Sequence, residues 1–364
     1  MSEVIRCPGP GLRFPPLRVV PSYLMDREQR RKLRLLPKSE LHLHLEGSLD
    51  PALLLELARR HAFPFGIHTL ADARQLYSFS DFPGFIHAIK VASQHLIAPE
   101  DYAFAVQELG RRLAAQGIVY AEVFISIGIL HWKNMSVDPV WRALETARRQ
   151  LQQERGVRLA WIFDAVRQFG LAPAERVVDE TIRYMSNGSV VGIGIGGDEA
   201  GGPAEWFSPV FARAAAAGLG LTAHAGETCG PESVWAAVRD LGVRRIGHGL
   251  RAIEDPALLA HLAGHDLYID VCKFSNRRTG CWPASQPHPV HVFDKHQIKF
   301  SFGSDDPGMF GSSLLKELHH CSLEWSSIRR ALRNGFLGSF LAPAEKSAYL
   351  ADLDAAWERL DLPH

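Results

Sequence analysis

Residues 41–47 read LHLHLEG, with two imidazoles two positions apart in a run of leucines and an acid and a glycine just behind. Side chains alternate faces along a strand, so in an extended segment His42 and His44 point the same way. Such a pair either fills a hydrogen-bonded niche in the core or holds something between its rings. The rest of the chain decides between them.

Working outward, short apolar runs rich in β-branched residues recur at Ser39–His44, Val119–Ile127, Leu159–Ala165, Val190–Ile195, Leu219–His224, Arg245–His248, Leu267–Val271 and Ile298–Gly303. Helical periodicity falls between several of them, at Ala103–Gln116, Pro139–Glu154, Pro173–Met185, Pro209–Ala217, Pro231–Leu241 and Pro256–Ala263. Many of these helices open on proline, which suits a first helical turn. Strands alternating with helices imply parallel βαβ units, and this number of them fits a (β/α)8 TIM barrel, with a doubly wound open sheet as the rival. The domain reading is an N-terminal extension over 1–36 with a short basic helix at Asp26–Leu35, a barrel over 37–345, and a C-terminal helix over 346–364. The stretch 50–118 is a mostly helical insertion overhanging one mouth of the barrel.

Active residues of such barrels collect at the C-terminal ends of strands. Here the runs end in His42 and His44, in His224-Ala-Gly-Glu227, in Gly247-His248-Gly249 and in Ser304-Asp305-Asp306-Pro307. Core histidines placed at random would not favour one rim, so the convergence favours a site over a niche. Imidazole and carboxylate are the ligands of a catalytic Zn²⁺, which keeps a position open for water. His42, His44, His224 and Asp305 supply three nitrogens and an oxygen for one ion per chain. His248 is placed to orient the water or take its proton, Glu227 to act as an acid with a raised pKa, and Asp306 to bond a substrate nitrogen.

The bulk composition is consistent with that. The chain has 364 residues, 46% of them hydrophobic, and as many acidic as basic residues at 40 each. Zero net charge gives no electrostatic case for nucleic acid or an anionic membrane. The five cysteines are scattered without a C-x-x-C pair, which fits a reducing compartment rather than a disulfide framework. No apolar run reaches the ~20 residues of a membrane span, and the first residues carry no signal-peptide pattern, so a cytoplasmic protein is expected. The oligomeric state is not legible.

Two motifs fail on context. His44-Leu-Glu46 matches H-x-E of cytidine-type deaminases, but no P-C-x-x-C follows. Gly192–Gly197 matches G-x-G-x-x-G, but no acid occurs from 206 to 223, where a ribose partner belongs. The segment Val190–Gly202 has no lysine to bridge two metals, which favours one ion.

ELHLHLEGSL, GDE at 197–199, HAGE at 224–227, IGHG at 246–249, SN at 275–276 and SDDP at 304–307 together resemble the adenosine deaminase family of zinc aminohydrolases, over about residues 36–340. The resemblance implies a metal-dependent amidohydrolase barrel that replaces an adenine 6-amino group by oxygen. It implies zinc on His42, His44, His224 and Asp305, ring protonation by Glu227, help for the water from His248, and ring contacts from Asp306 and the Gly197 backbone. Glu46 stands where adenosine-specific members carry Asp for the 5′-hydroxyl. Strand four departs from the family's D-L-A-G-D-E, with Gly194 in place of an acid, and Cys272-Lys-Phe-Ser-Asn276 lacks the usual proline. Strand two lacks the D-P-Q-x-H of adenine deaminases. Its S-x-G…W-K ending and Asp164-Ala-Val-Arg167-Gln-Phe-Gly look like the branch acting on 6-aminodeoxyfutalosine for menaquinone synthesis, an adenosine relative with a carboxyphenyl group beyond C5′. Arg167 or Lys133 is expected at that carboxylate, with Trp132 on the ring. Phe82–Ile97 is expected to be a lid. Other readings are adenine or another 6-aminopurine as substrate, a different metal-dependent amidohydrolase, and a non-catalytic nucleoside-binding protein.

Overall fold

A computed structural model describes residues 25–363. Eight strands form one barrel in sequence order: β1 Lys38–His44, β2 Ile118–Ile125, β3 Arg158–Val166, β4 Val190–Gly196, β5 Gly220–Ala225, β6 Arg245–His248, β7 Tyr268–Val271 and β8 Lys299–Phe302. Every neighbouring pair is parallel. The ring closes where Asp305, just past β8, bridges to Leu43 of β1. All eight expected runs are strands, and the expected crossover helices follow within a few residues of their bounds. The strands are buried on both faces, as their β-branched and aromatic content requires when helices cover the outside.

The barrel floor is polar. Arg245, fully buried, pairs with Glu122 and with Asp270 (2.9 Å) and donates to the Leu41 carbonyl at 3.2 Å. A buried charge of this kind persists only when paired and hydrogen-bonded.

The outer segments differ in detail from expectation. The basic helix Arg27–Leu35 is capped by Asp26 and packs onto the barrel foot through Leu33. Lys38 Nζ, buried, donates to the carbonyls of Leu33 (2.8 Å) and Leu36 (2.6 Å), so residues 25–36 are built into the domain. Residues 1–24 of the expected extension lie outside the described residues. The last helix is Pro343–Arg359, beginning before the expected boundary because Pro343 takes its first turn. The insertion forms helices Pro51–Arg60, Leu70–Leu76, Phe82–Gln94 and Pro99–Ala114, and Phe82–Gln94 lies over the mouth. Among the described residues no helix is long and apolar enough to cross a membrane.

Candidate active site

The C-terminal rim encloses a cavity of about 340 Å³ lined by His44, Glu46, Gly197, His224, Glu227, His248, Asp305 and Asp306 at its polar end. Barrel closure sets the first part of this geometry. Asp305 N–H donates to the His42 carbonyl at 3.0 Å and His44 N–H to the Asp305 carbonyl at 2.8 Å, which wedges Asp305 between the two histidines. Its Oδ1 lies 3.4 Å from His42 Nε2 and 3.5 Å from His44 Nε2, and His44 Nε2 lies 3.2 Å from His224 Nε2. Donors ~2.05 Å from one ion at tetrahedral angles stand about 3.3 Å apart, so these spacings suit a single small divalent cation. Asp305 (φ 61°) and His248 (φ 66°) both hold left-handed backbone, strain of a kind that collects at functional sites.

Among the described residues, His42, His224, His248 and Asp305 also form a group whose donor atoms lie within 4.8 Å of one another. Hydrogen bonding sets His248 apart from His44. Val290 N–H donates to His288 Nδ1 (3.2 Å), so His288 carries its proton on Nε2 and donates to Asn276 Oδ1 (3.1 Å). Asn276 then presents its amide N–H to His248 Nδ1 at 3.0 Å. His248 therefore holds its proton on Nε2, the atom facing Glu227 Oε2 (3.5 Å) and Asp305 (4.0 Å). That tautomer turns a donor rather than a lone pair toward Glu227 and Asp305. His224 is the reverse: its Nδ1 meets the Ile195 carbonyl at 3.0 Å, which leaves the Nε2 lone pair toward the cavity. His42 Nε2 is buried with no hydrogen-bond partner, an atom whose desolvation an ion would offset. Its Nδ1 sits 3.7 Å from Asp270, which Ser301 Oγ holds at 2.9 Å.

Electrostatics separate the acids. Burial pushes Glu227 well above the carboxylate range, reinforced by the nearby charge of Asp305, which favours its protonated form. Burial also raises Asp306, again with Asp305 beside it, whereas at Asp305 burial is outweighed by His42, 3.4 Å away, which holds that carboxyl well below its usual range. Burial brings His248 down to about 4 and His44 to about 3, so both are neutral imidazoles.

Three acids that strand-end reasoning did not single out hold the loops in place. Glu199 accepts the backbone N–H groups of Gly226 (2.8 Å), Glu227 (2.9 Å) and Thr228 (2.7 Å), which fixes the loop bearing Glu227. Glu40 takes Ser304 N–H at 2.8 Å, one residue before Asp305. Glu317 takes the N–H groups of Lys273 (3.1 Å) and Phe274 (2.9 Å) at the start of the helix carrying Asn276. The GDE and SN motifs were the only sequence signal for Glu199 and Asn276. Asp306 has its place because residue 47 is glycine: a Cβ there would lie 1.6 Å from Asp306 Oδ1.

One expectation is corrected. Arg167 does not reach the mouth: it is buried, with its guanidinium donating to the Gly202 and His224 carbonyls, both at 2.7 Å. A buried guanidinium bonded to two backbone carbonyls is not free to meet a ligand at the mouth. Lys133 is likewise committed, to the carbonyls of Ser93 (2.9 Å) and Leu96 and to Tyr102. Trp132 does line the cavity and is 43% exposed. The cation beside it is Lys90, whose Nζ lies 5.3 Å over the Trp132 ring and which also lines the cavity.

Residues 37–356 match the family model described as adenosine deaminase. The chain belongs to the adenosine deaminase family. It is a hydrolase of that family, built on the family's barrel. It is 37% identical to an aminodeoxyfutalosine deaminase of Streptomyces avermitilis, over 88% of this chain and 92% of the relative. It is 33% identical to an adenine deaminase of Sphingopyxis alaskensis, over 88% and 94%. Among solved structures it resembles an adenine deaminase from Arthrobacter aurescens with a TM-score of 0.83 and 26% identity, covering 89% of this chain and 99% of that one.

Proposed function

We propose that this family member hydrolytically removes the 6-amino group of an adenosine-type nucleoside, with one zinc ion held by His42, His44, His224 and Asp305. The observation that carries the reading is the meeting of these four side chains with a protonated Glu227 in one cavity. A divalent ion at such a centre supplies Lewis acidity and lowers the pKa of water.

The chain's own residues do the rest. Glu227 gives its proton to N1, the ring nitrogen beside C6, as water adds to that carbon and gives up a proton to the emptied Glu227 carboxylate; Glu227 passes that proton to the amino group, the C6–N bond breaks, ammonia leaves, and the remaining hydroxyl proton returns to Glu227 as the C6 carbonyl forms. His248 Nε2–H orients the water oxygen, held in that role by Asn276. Asp306, kept protonated by burial, donates to N7, and the Gly197 backbone meets N3. Glu46 and the apolar end of the cavity take the sugar and what lies beyond it.

That apolar end favours 6-aminodeoxyfutalosine. Phe82, Phe85, Ile86 and Ile89 of the lid face Ile129, Trp132 and Phe169 across the mouth, room that a free purine base would leave unfilled. Lys90 above Trp132 takes the carboxylate in place of Arg167 or Lys133. Ammonia release by metal-loaded protein from 6-aminodeoxyfutalosine, adenosine and adenine tests this. The highest kcat/KM is expected for the first, with Lys90→Ala raising its KM about tenfold, the worth of a charge-assisted bond. A strong preference for adenosine or adenine overturns the branch assignment, and no ammonia from any of the three overturns deamination.

A further inference from the structure

The acid missing from strand four has a counterpart one strand away. Gly194 of β4 pairs with Asp164 of β3, and a Cβ on Gly194 would lie 2.9 Å from Asp164 Oδ1. The Asp164 carboxyl thus occupies room that a side chain at 194 would need, and Gly194 is what admits it, together with the Phe124 ring at 2.6 Å. Asp164 lines the cavity, is 4% exposed, and its Oδ1 has no hydrogen-bond partner.

A buried carboxyl oxygen without a partner is destabilising, so it persists where something in the working protein bonds to it. Glu46 repeats the pattern: Oε1 accepts the Ser126 N–H at 3.0 Å while Oε2 is buried without a partner. Both acids line the same cavity, and Glu46 helps raise Asp164 to about 8, after the larger effect of burial. Two acids offering unpartnered oxygens in one cavity match two neighbouring hydroxyls. A purine base carries none, whereas a ribose carries them on adjacent carbons.

We propose that Asp164 is a specificity-determining residue that, with Glu46, bonds the ribose hydroxyls and so selects a ribonucleoside over a free base. This rests on the nucleoside reading above and adds to it the residue that reads the sugar. The test compares adenosine, 2′-deoxyadenosine and 3′-deoxyadenosine, as kcat/KM or as Ki against the preferred substrate, in wild type, Asp164→Ala and Asp164→Asn. Wild type should lose at least tenfold on one deoxy analogue. Asp164→Ala should lose a similar factor on adenosine but almost nothing further on that analogue, and Asp164→Asn, which keeps an acceptor, should recover most of the loss. A uniform loss across all three nucleosides, which a purely structural role would give, overturns the proposal, as does a wild type indifferent to both hydroxyls. Should Asp164→Ala fail to fold, Asp164→Ser, too short to reach the sugar, takes its place in the same comparison. Should no 6-aminopurine be turned over at all, the deaminase reading falls, an outcome distinct from turnover without hydroxyl selectivity.

Discussion

Gly247→Ala, one methyl group in the middle of β6, should empty the metal centre. A Cβ at 247 would lie 2.6 Å from His42 Cε1, 3.2 Å from His42 Nδ1 and 3.3 Å from the His224 Cα. Carbon atoms pack comfortably at about 3.5–4.0 Å, so the His42 ring must retreat by about 0.9 Å or more. It cannot do so in place: it is fully buried, with ring centroids of Phe124 at 5.2 Å, His224 at 4.6 Å and His248 at 5.0 Å. Overpacking of this kind costs about 1–3 kcal/mol, which a fold of this size tolerates. A ligand set does not tolerate it, since productive geometry holds only within about 0.5 Å. Bound metal measured by mass spectrometry should fall well below one per chain, and kcat/KM should drop about 100-fold or more, with Tm lowered by a few degrees. Gly264→Ala is the control, because a Cβ there meets nothing within 4 Å. Full metal content and wild-type turnover in Gly247→Ala would refute the placement of His42.

Glu227→Gln should retain its metal and lose about 10³-fold in kcat, because an amide keeps the shape and cannot donate the proton; an active variant removes the assigned role. Arg167→Met frees the His224 carbonyl and should weaken metal affinity about 10- to 100-fold for every substrate alike; a KM rise confined to a carboxylate-bearing substrate would return Arg167 to the mouth. Burial raises Glu40 to about 7 and Glu317 to about 8. Between the ordinary carboxylate pKa and those values the folded state binds more protons than the unfolded chain, so stability declines as pH rises through that window. From pH 6 to pH 8 the Tm of wild type should therefore fall relative to that of Glu317→Gln; a difference that stays flat or rises contradicts the burial of Glu317 in neutral form.

The strands were legible because each is a short apolar run whose composition does not depend on its partners, and their order followed from the alternation with helices. The clustering of the proposed ligands was legible because barrel closure brings strand ends together whatever the details of the loops. What lay beyond reach were contacts made between distant segments. Nothing near Arg167 in sequence announces that its guanidinium will meet the carbonyls of residues 202 and 224. Glu40, Glu199 and Glu317 look like ordinary acids until the backbone N–H groups they collect are in place. Lys90 lay inside the expected lid, but its position over Trp132 depends on how the helix Phe82–Gln94 crosses the mouth. The relay from His288 through Asn276 to His248, which sets the tautomer of His248, is contained in no strand pattern.

X-ray absorption at the zinc edge of the metal-loaded protein tests the shared-ion geometry most directly. A shell of nitrogen and oxygen only, at ~2.0–2.1 Å with outer-shell scattering from three imidazoles, is the expected result. A sulfur neighbour at ~2.3 Å, which Cys272 or another thiol would give, or a shell without histidine, would contradict it.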